Sequence, residues 1–96
     1  MNVKNFKEEK EAIGYRIREL REKYADGKIS QEELGFRIGY AKKTIGELER
    51  GNTNPTFETL LLISKALDIT IIELFEFDLD EYKKLARRFK EDKVLK

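Results

Sequence analysis

The chain has 96 residues, enough for one small domain with a modest core. It contains no cysteine and no histidine, which excludes disulfides, thiolate metal sites and the commonest general base. No apolar run approaches transmembrane length and the charged N-terminus is unlike a signal peptide, so we expect a cytoplasmic protein without a membrane partner. A formal net charge of +1 argues neither for nor against nucleic acid binding.

The first helix is predicted over residues 11–24, after a polar N-terminal extension at residues 1–10 that is either frayed or helical. Apolar residues recur along one face of this helix, namely Ile13, Ile17, Leu20 and Tyr24. A DNA-touching arm before it is disfavoured, because phosphate would repel Glu8, Glu9 and Glu11. A turn at Asp26-Gly27 then leads to Ile29, expected to fold back as a hydrophobic staple.

Two short helices joined by a tight turn are predicted over residues 30–51. Ser30 can cap the first of them, and Glu33 completes the pattern of a capping box. Gly39 follows the last apolar residue, where a left-handed residue is favoured. The second helix is expected at residues 41–50, with its inward face formed by Ile45, Leu48 and Glu49. A pair of helices with glycine in the short turn is typical of a helix-turn-helix.

The rest of the chain predicts three more helices. A fourth runs from near Thr56 to Leu67 and is apolar over a wide arc made by Leu60, Leu61, Ile63, Ser64 and Leu67. Thr70 with Glu73 forms a second capping box that starts a brief fifth helix. The apolar residues between 69 and 77 exceed what one small core needs, which indicates a subunit interface.

A final helix over residues 78–96 is capped by Asp78 and has an apolar stripe of Leu79, Tyr82, Leu85, Ala86 and Phe89. It can pack on the body of the domain, dimerise or bind another protein. Its basic residues can form an extra nucleic-acid patch or a solvated face; they are Lys83, Lys84, Arg87, Arg88 and Lys90.

These features resemble the phage-repressor-like helix-turn-helix family (lambda repressor/Cro, xenobiotic-response-element type). The residues that match its pattern are Gln31, Leu34, Gly35, Ile38, Gly39, Ile45, Glu49, Arg50, Gly51 and Pro55. The family usually has alanine where this chain has Gly35. The resemblance implies an all-α fold: a five-helix lambda-repressor-like DNA-binding domain over residues 11–77, followed by a C-terminal amphipathic helix.

The resemblance also implies the residues that contact DNA. In this family the recognition helix enters the major groove, and the matching base-contacting positions are Lys42, Lys43 and Glu47. Phosphate contacts are expected from Gln31, Tyr40, Thr44, Arg50, Asn52 and Asn54. Arg21 and Glu49 match a largely buried structural ion pair.

Other interpretations of these residues stay open. Both lysines can bind phosphate without reading sequence, and Glu47 can pair with Lys43 within the helix. The loop after the recognition helix can be plain turn chemistry. Gly46 either lets DNA approach the recognition helix closely or has no role.

The sequence therefore predicts a regulator of transcription, a repressor, that binds a pseudo-palindromic double-stranded DNA operator as a homodimer. An antitoxin and a restriction–modification controller fit the same pattern. A protein-interaction module using the C-terminal helix is the alternative from another class. No enzyme activity, cofactor or metal site is expected, because no catalytic constellation or phosphate loop is present.

Overall fold

The computed structural model describes residues 6–24 and 29–95, so the turn expected at Asp26-Gly27 lies outside the described residues. The described chain forms six helices and no strand: α1 (Lys7–Glu22), α2 (Gln31–Ile38), α3 (Lys42–Glu49), α4 (Phe57–Ala66), α5 (Ile71–Leu74) and α6 (Leu79–Leu95). The predicted all-α fold, with five helices followed by a C-terminal one, is confirmed.

Each of the first five helices contributes one large, fully buried residue to a single core. These residues are Ile17, Leu34, Ile45, Ile63 and Leu74. Ile29, just before α2, packs against this cluster, as expected of a staple residue. Because these five helices are anchored at the same centre, the relative positions of α2 and α3 depend on all of them.

The start of α2 corrects one prediction. The hydroxyl of Ser30 accepts from the backbone N–H of Glu33 at 2.9 Å, so the cap is present. The reciprocal half of the capping box is not among its hydrogen bonds, because the Glu33 carboxylate accepts from Arg37 Nε at 2.9 Å. A charged donor one turn away forms a stronger bond than a neutral backbone N–H. The second capping box, between Thr70 and Glu73, forms in both directions.

Helix α4 is less buried than its apolar sequence predicted. Ile63, Ser64 and Leu67 are buried, but the side chain of Leu61 is 41% exposed. Farther along the chain, Ile72 is 74% exposed and Phe75 is 47% exposed. The wide apolar arc of α4 therefore does not lie wholly in the core, and the described part of the chain leaves an apolar surface on α4 and α5.

Helix α6 packs against α1. Tyr15 lies between two aromatic rings of α6, with ring centroids 5.9 Å from Tyr82 and 6.0 Å from Phe89. Ala86 is buried, whereas Leu79, the first residue of the predicted stripe, is 43% exposed. The apolar stripe of α6 is thus largely covered by the first helix.

Three ion pairs border this α1–α6 interface. Glu8 pairs with Arg87 at 3.0 Å, Glu9 with Lys83 at 3.1 Å, and Glu11 with Lys90 at 3.0 Å. The helix α1 begins at Lys7, so residues 7–10 extend it rather than fray. The glutamates that disfavoured a DNA-binding arm thus lie on a helix and contact α6.

Candidate nucleic-acid interface

The outer face of α3 carries the first two candidate base-contacting residues. Lys42, Lys43 and Thr44 are exposed in the first turn of α3, while Ile45 is fully buried one residue later. The preceding turn is made by Gly39, which has a φ of 81°, a conformation that glycine adopts without strain. The turn therefore presents both lysines to solvent at the N-terminal end of the second helix of the motif.

Glu47, the third candidate, lies in a cluster with two residues expected to contact phosphate. Its carboxylate accepts hydrogen bonds from Arg50 and, at 3.4 Å, from Asn52 Nδ2. Its ion-pair partner is Arg50, not Lys43 as the alternative interpretation expected, since Arg50 lies three residues on and reaches it directly. The bond from Arg50 is the main reason that the pKa of Glu47 is lowered. In the free protein, Glu47 is therefore the shared hydrogen-bond acceptor of Arg50 and Asn52.

Gln31 is hydrogen-bonded to a buried residue of α3. Its Nε2 donates to Glu49 Oε1 at 2.9 Å. A side-chain amide has two N–H donors, so one remains for a phosphate. The same glutamate accepts from Arg21 Nε at 2.7 Å and from Arg21 Nη2 at 3.1 Å. The Arg21–Glu49 pair, which joins α1 to α3, thus also positions the first residue of α2.

The hydroxyl of Tyr40 is hydrogen-bonded within the protein. It shares a hydrogen bond of 2.8 Å with Thr59 Oγ1 in the first turn of α4. The tyrosine ring is half-buried against the core. A phosphate contact from this hydroxyl would need the bond to Thr59 to be shared or broken. Asn54, the last phosphate candidate, is exposed in the loop before α4.

Gly46 is covered by neighbouring side chains rather than exposed on α3. It is buried, and an added Cβ atom would lie 3.3 Å from Arg50 Nη1 and 3.5 Å from Gln31 Oε1. Gly46 lies one helical turn after Lys42, but these two longer side chains cover it. It leaves room for Arg50 and Gln31 to approach each other.

A cleft of about 310 Å³ opens beside these residues, between the helix-turn-helix and the pair α1 and α6. We call it the α1–α3–α6 cleft. Gln31, Arg50 and Asn52 line one side, and Arg18 and Lys90 line the other. Sequence reasoning missed it, because its walls come from helices that are far apart in the chain.

The described residues hold no group of three or more acidic, histidine or cysteine side chains able to bind a metal ion. Within that part of the chain, no helix combines the length and apolarity needed to cross a membrane.

Comparison with known proteins gives consistent matches. A family model described as helix-turn-helix matches residues 17–74. An uncharacterized HTH-type transcriptional regulator of Archaeoglobus fulgidus is 39% identical over 66 residues, covering 69% of this chain and 90% of the relative. Repressor protein C2 of Salmonella phage P22 is 39% identical over 69 residues, which cover 72% of this chain and 31% of the repressor.

Among solved structures, the chain is similar to the restriction-modification controller protein C.AhdI from Aeromonas hydrophila. The TM-score is 0.61 and the sequence identity is 39%. The similarity covers 67% of this chain and 92% of the controller.

Proposed function

The chain belongs to the helix-turn-helix family, and on that premise we propose that it is a DNA-binding transcriptional regulator, a repressor that reads its operator with α3. The observation that carries the proposal is the placement of Lys42 and Lys43. Both are exposed in the first turn of α3, on a helix whose opposite face is buried. Residues near the N-terminal end of a recognition helix contact base edges in the major groove, where lysine donates to the acceptors of guanine.

Glu47, Arg50 and Asn52 complete this surface. Glu47 can accept from the amino group of cytosine, but only after Arg50 and Asn52 turn to other partners. A nearby phosphate is such a partner for Arg50, because a guanidinium binds phosphate oxygens as it binds a carboxylate. We infer that DNA replaces the internal contacts of this cluster with contacts to base and backbone.

We infer further that the protein acts as a homodimer. An α3 of eight residues is about 12 Å long and reaches only part of a binding site. Two-fold symmetry places two such helices about 34–36 Å apart, in successive major grooves. Exposed apolar residues supply a surface that a second copy would cover, namely Leu61 on α4, Ile72 on α5 and Phe75 just after it. We propose a cytoplasmic location for the protein, because a regulator of transcription must reach its DNA.

Control of restriction–modification genes is a second candidate, favoured by one observation. A solved structure similar to the chain, at 39% identity and a TM-score of 0.61, is that of a restriction-modification controller. The protein-interaction alternative requires α6 to leave α1, because Tyr82, Ala86 and Phe89 lie in that interface.

Fluorescence anisotropy tests the proposal. The labelled duplex comes from upstream of the protein's own gene and is compared with a scrambled duplex at two salt concentrations. We expect the wild type to prefer the upstream duplex and a Lys42→Ala/Lys43→Ala double variant to lose that preference while keeping its helical circular dichroism spectrum. Equal, salt-sensitive binding of both duplexes by wild type and variant would contradict sequence reading by α3. Absence of binding at low salt would contradict DNA binding altogether.

A further inference from the structure

We propose that the α1–α3–α6 cleft binds a phosphate of the DNA backbone, and that Lys90 of α6 is one of the cations that contact it. The inference rests on the DNA binding proposed above. It adds a contact from a helix that lies outside residues 17–74, the range matched by the family model.

The cleft joins residues of the helix-turn-helix to cations from the rest of the protein. Gln31, Arg50 and Asn52, all expected to contact phosphate, open onto one side. Lys90 faces them from α6 across a space of about 310 Å³. That volume is many times the roughly 10–15 Å³ of cavity volume that one water molecule needs, so the space admits a phosphate group with part of its hydration. A backbone phosphate held by Arg50 would thus lie near Lys90.

Both cations at the opening are available to a phosphate. The side chain of Lys90 is 57% exposed and that of Arg50 is 56% exposed. Their present partners are Glu47, in a surface ion pair that water screens strongly, and Glu11, whose side chain is only 15% exposed. Binding of DNA releases condensed counterions for each phosphate that a cation neutralises. This release favours exchange of the surface pairs for phosphate.

Arg18, the other cation of that wall, has a different role. Its guanidinium lies 3.9 Å from the centroid of the Phe89 ring, and it pairs with Glu22 at 3.1 Å. The side chain is only 27% exposed. Arg18 therefore supports the position of α6, and Lys90 is the cation placed to contact DNA.

The acidic residues of the cleft do not cancel this attraction equally. Glu49 is 2% exposed and is fully engaged by Arg21 and Gln31, so its charge is compensated in the interior. Glu11 is 15% exposed and is paired with Lys90 itself. Glu11 is thus the charge that competes with phosphate for Lys90. Neutralising Lys90 should weaken DNA binding, whereas neutralising Glu11 should strengthen it.

The α1–α6 interface offers a matched control. Lys83 pairs with Glu9 across the same two helices, at 3.1 Å compared with 3.0 Å for Lys90 and Glu11. Lys83 does not line the cleft. Lys83→Gln therefore removes one positive charge and one α1–α6 ion pair, as Lys90→Gln does, without touching the proposed phosphate site.

The experiment measures the affinity for the upstream duplex between 50 mM and 200 mM salt for wild type, Lys90→Gln, Lys83→Gln, Lys90→Arg and Glu11→Gln. In a plot of the logarithm of the association constant against the logarithm of the salt concentration, each phosphate contact contributes about 0.9 to the magnitude of the slope. We expect Lys90→Gln to lower the magnitude of the slope by about 0.9. Between 50 mM and 200 mM salt, the fold-loss of affinity should then be about 3.5 times smaller for the variant than for wild type. Lys83→Gln should keep the wild-type slope and Lys90→Arg should restore it. Glu11→Gln should bind more tightly than wild type.

Preference for the upstream over the scrambled duplex should not change in Lys90→Gln, because a phosphate contact carries no sequence information. Equal slopes for Lys90→Gln and Lys83→Gln would overturn the inference while leaving DNA binding intact. So would a loss of binding in Lys90→Gln that accompanies a loss of thermal stability and that Lys90→Arg does not repair. Failure of the wild type to bind any duplex would overturn both the inference and the proposed function.

Discussion

Arg21 of α1 and Glu49 of α3 form a bidentate ion pair that is nearly sealed from water. The two hydrogen bonds are 2.7 Å and 3.1 Å long, and the side chains of Arg21 and Glu49 are only 8% and 2% exposed. Arg21 also donates through Nη1 to the carbonyl of Ile29 at 2.8 Å, while Gln31 donates to the same carboxylate. One buried ion pair thus links α1, the segment before α2, the start of α2 and α3.

Removal of this carboxylate should be strongly destabilising. Glu49→Gln leaves the Arg21 charge buried without its counter-charge, which costs about 3–5 kcal/mol of unfolding free energy. For a domain of this size, that loss lowers the melting temperature by more than about 10 °C. Thermal unfolding followed by circular dichroism measures it. Glu33→Gln, which removes an exposed pair with Arg37, is the control and should change stability by less than about 1 kcal/mol. Similar melting temperatures for both variants would contradict burial of the pair.

Gly35→Ala should destabilise the protein, although alanine is the better helix former. An added Cβ would lie 2.3 Å from the carbonyl oxygen of Tyr40, a backbone atom in the turn of the motif. The crowding should cost about 1–3 kcal/mol, which exceeds the gain of up to about 1 kcal/mol in helix propensity. Urea denaturation measures the balance.

Gly46→Ala is the matched control for that substitution. The nearest atoms to its added Cβ are the ends of the flexible side chains of Arg50 and Gln31, at 3.3 and 3.5 Å. We expect it to be neutral or stabilising. A Gly35→Ala variant that is as stable as Gly46→Ala would show that the turn can shift freely.

Acid should weaken the contact between Glu19 and Tyr82. Burial of Glu19 opposes its ionisation, but hydrogen bonds from Tyr82 and Arg16 and the charge of Lys23 outweigh it, so its pKa lies below the ordinary 4.5. A carboxyl with a lowered pKa contributes stability above pH 4.5 and loses it as the pH falls through the folded-state pKa. Tyr82→Phe should therefore reduce the unfolding free energy more at pH 7 than at pH 3.

The background Glu19→Gln separates this effect from the packing of the Tyr82 ring. In that background the cost of Tyr82→Phe should be the same at both pH values, as measured by urea denaturation. If the cost still depends on pH there, the titrating group is not Glu19.

Substitution of the apolar surface on α5 should dissociate the proposed homodimer. Ile72→Ser removes a side chain that is 74% exposed and contributes little to the core, so the fold should survive. We expect sedimentation equilibrium to show a dimer for wild type and a monomer for the variant. Phe36→Ser, at a residue that is 82% exposed on α2, is the control and should remain dimeric. A dimer that survives Ile72→Ser but not Phe36→Ser would move the interface to α2.

Local patterns in the sequence were enough to predict the helices and most of their ends. Ser30, Thr56, Thr70 and Asp78 all accept from the backbone N–H three residues on, because a cap depends only on neighbours in the chain. The exposure of Leu61 could not be predicted in the same way. An apolar residue on a helix shows a preference for burial, but whether another helix covers it depends on the tertiary arrangement.

The candidate DNA-binding surface was predictable as a set of positions but not as a set of contacts. The family resemblance identified Glu47, Arg50 and Asn52 as three separate contacts. In the structure, Arg50 and Asn52 both donate hydrogen bonds to Glu47. Two partners were available to Glu47 within one helical turn, and the sequence does not rank them. The contact of Lys90 with Glu11 spans 79 positions, a separation at which helical periodicity carries no information.

The α1–α6 interface joins the first helix of the chain to the last. Because α6 begins at Leu79, the five fully buried core residues of α1 to α5 are all synthesised before the first residue of α6 is added. Tyr15 and the acidic edge of α1 therefore acquire their partners last. A nascent chain stalled before α6 would therefore display acidic and aromatic side chains that the finished protein engages with its last helix.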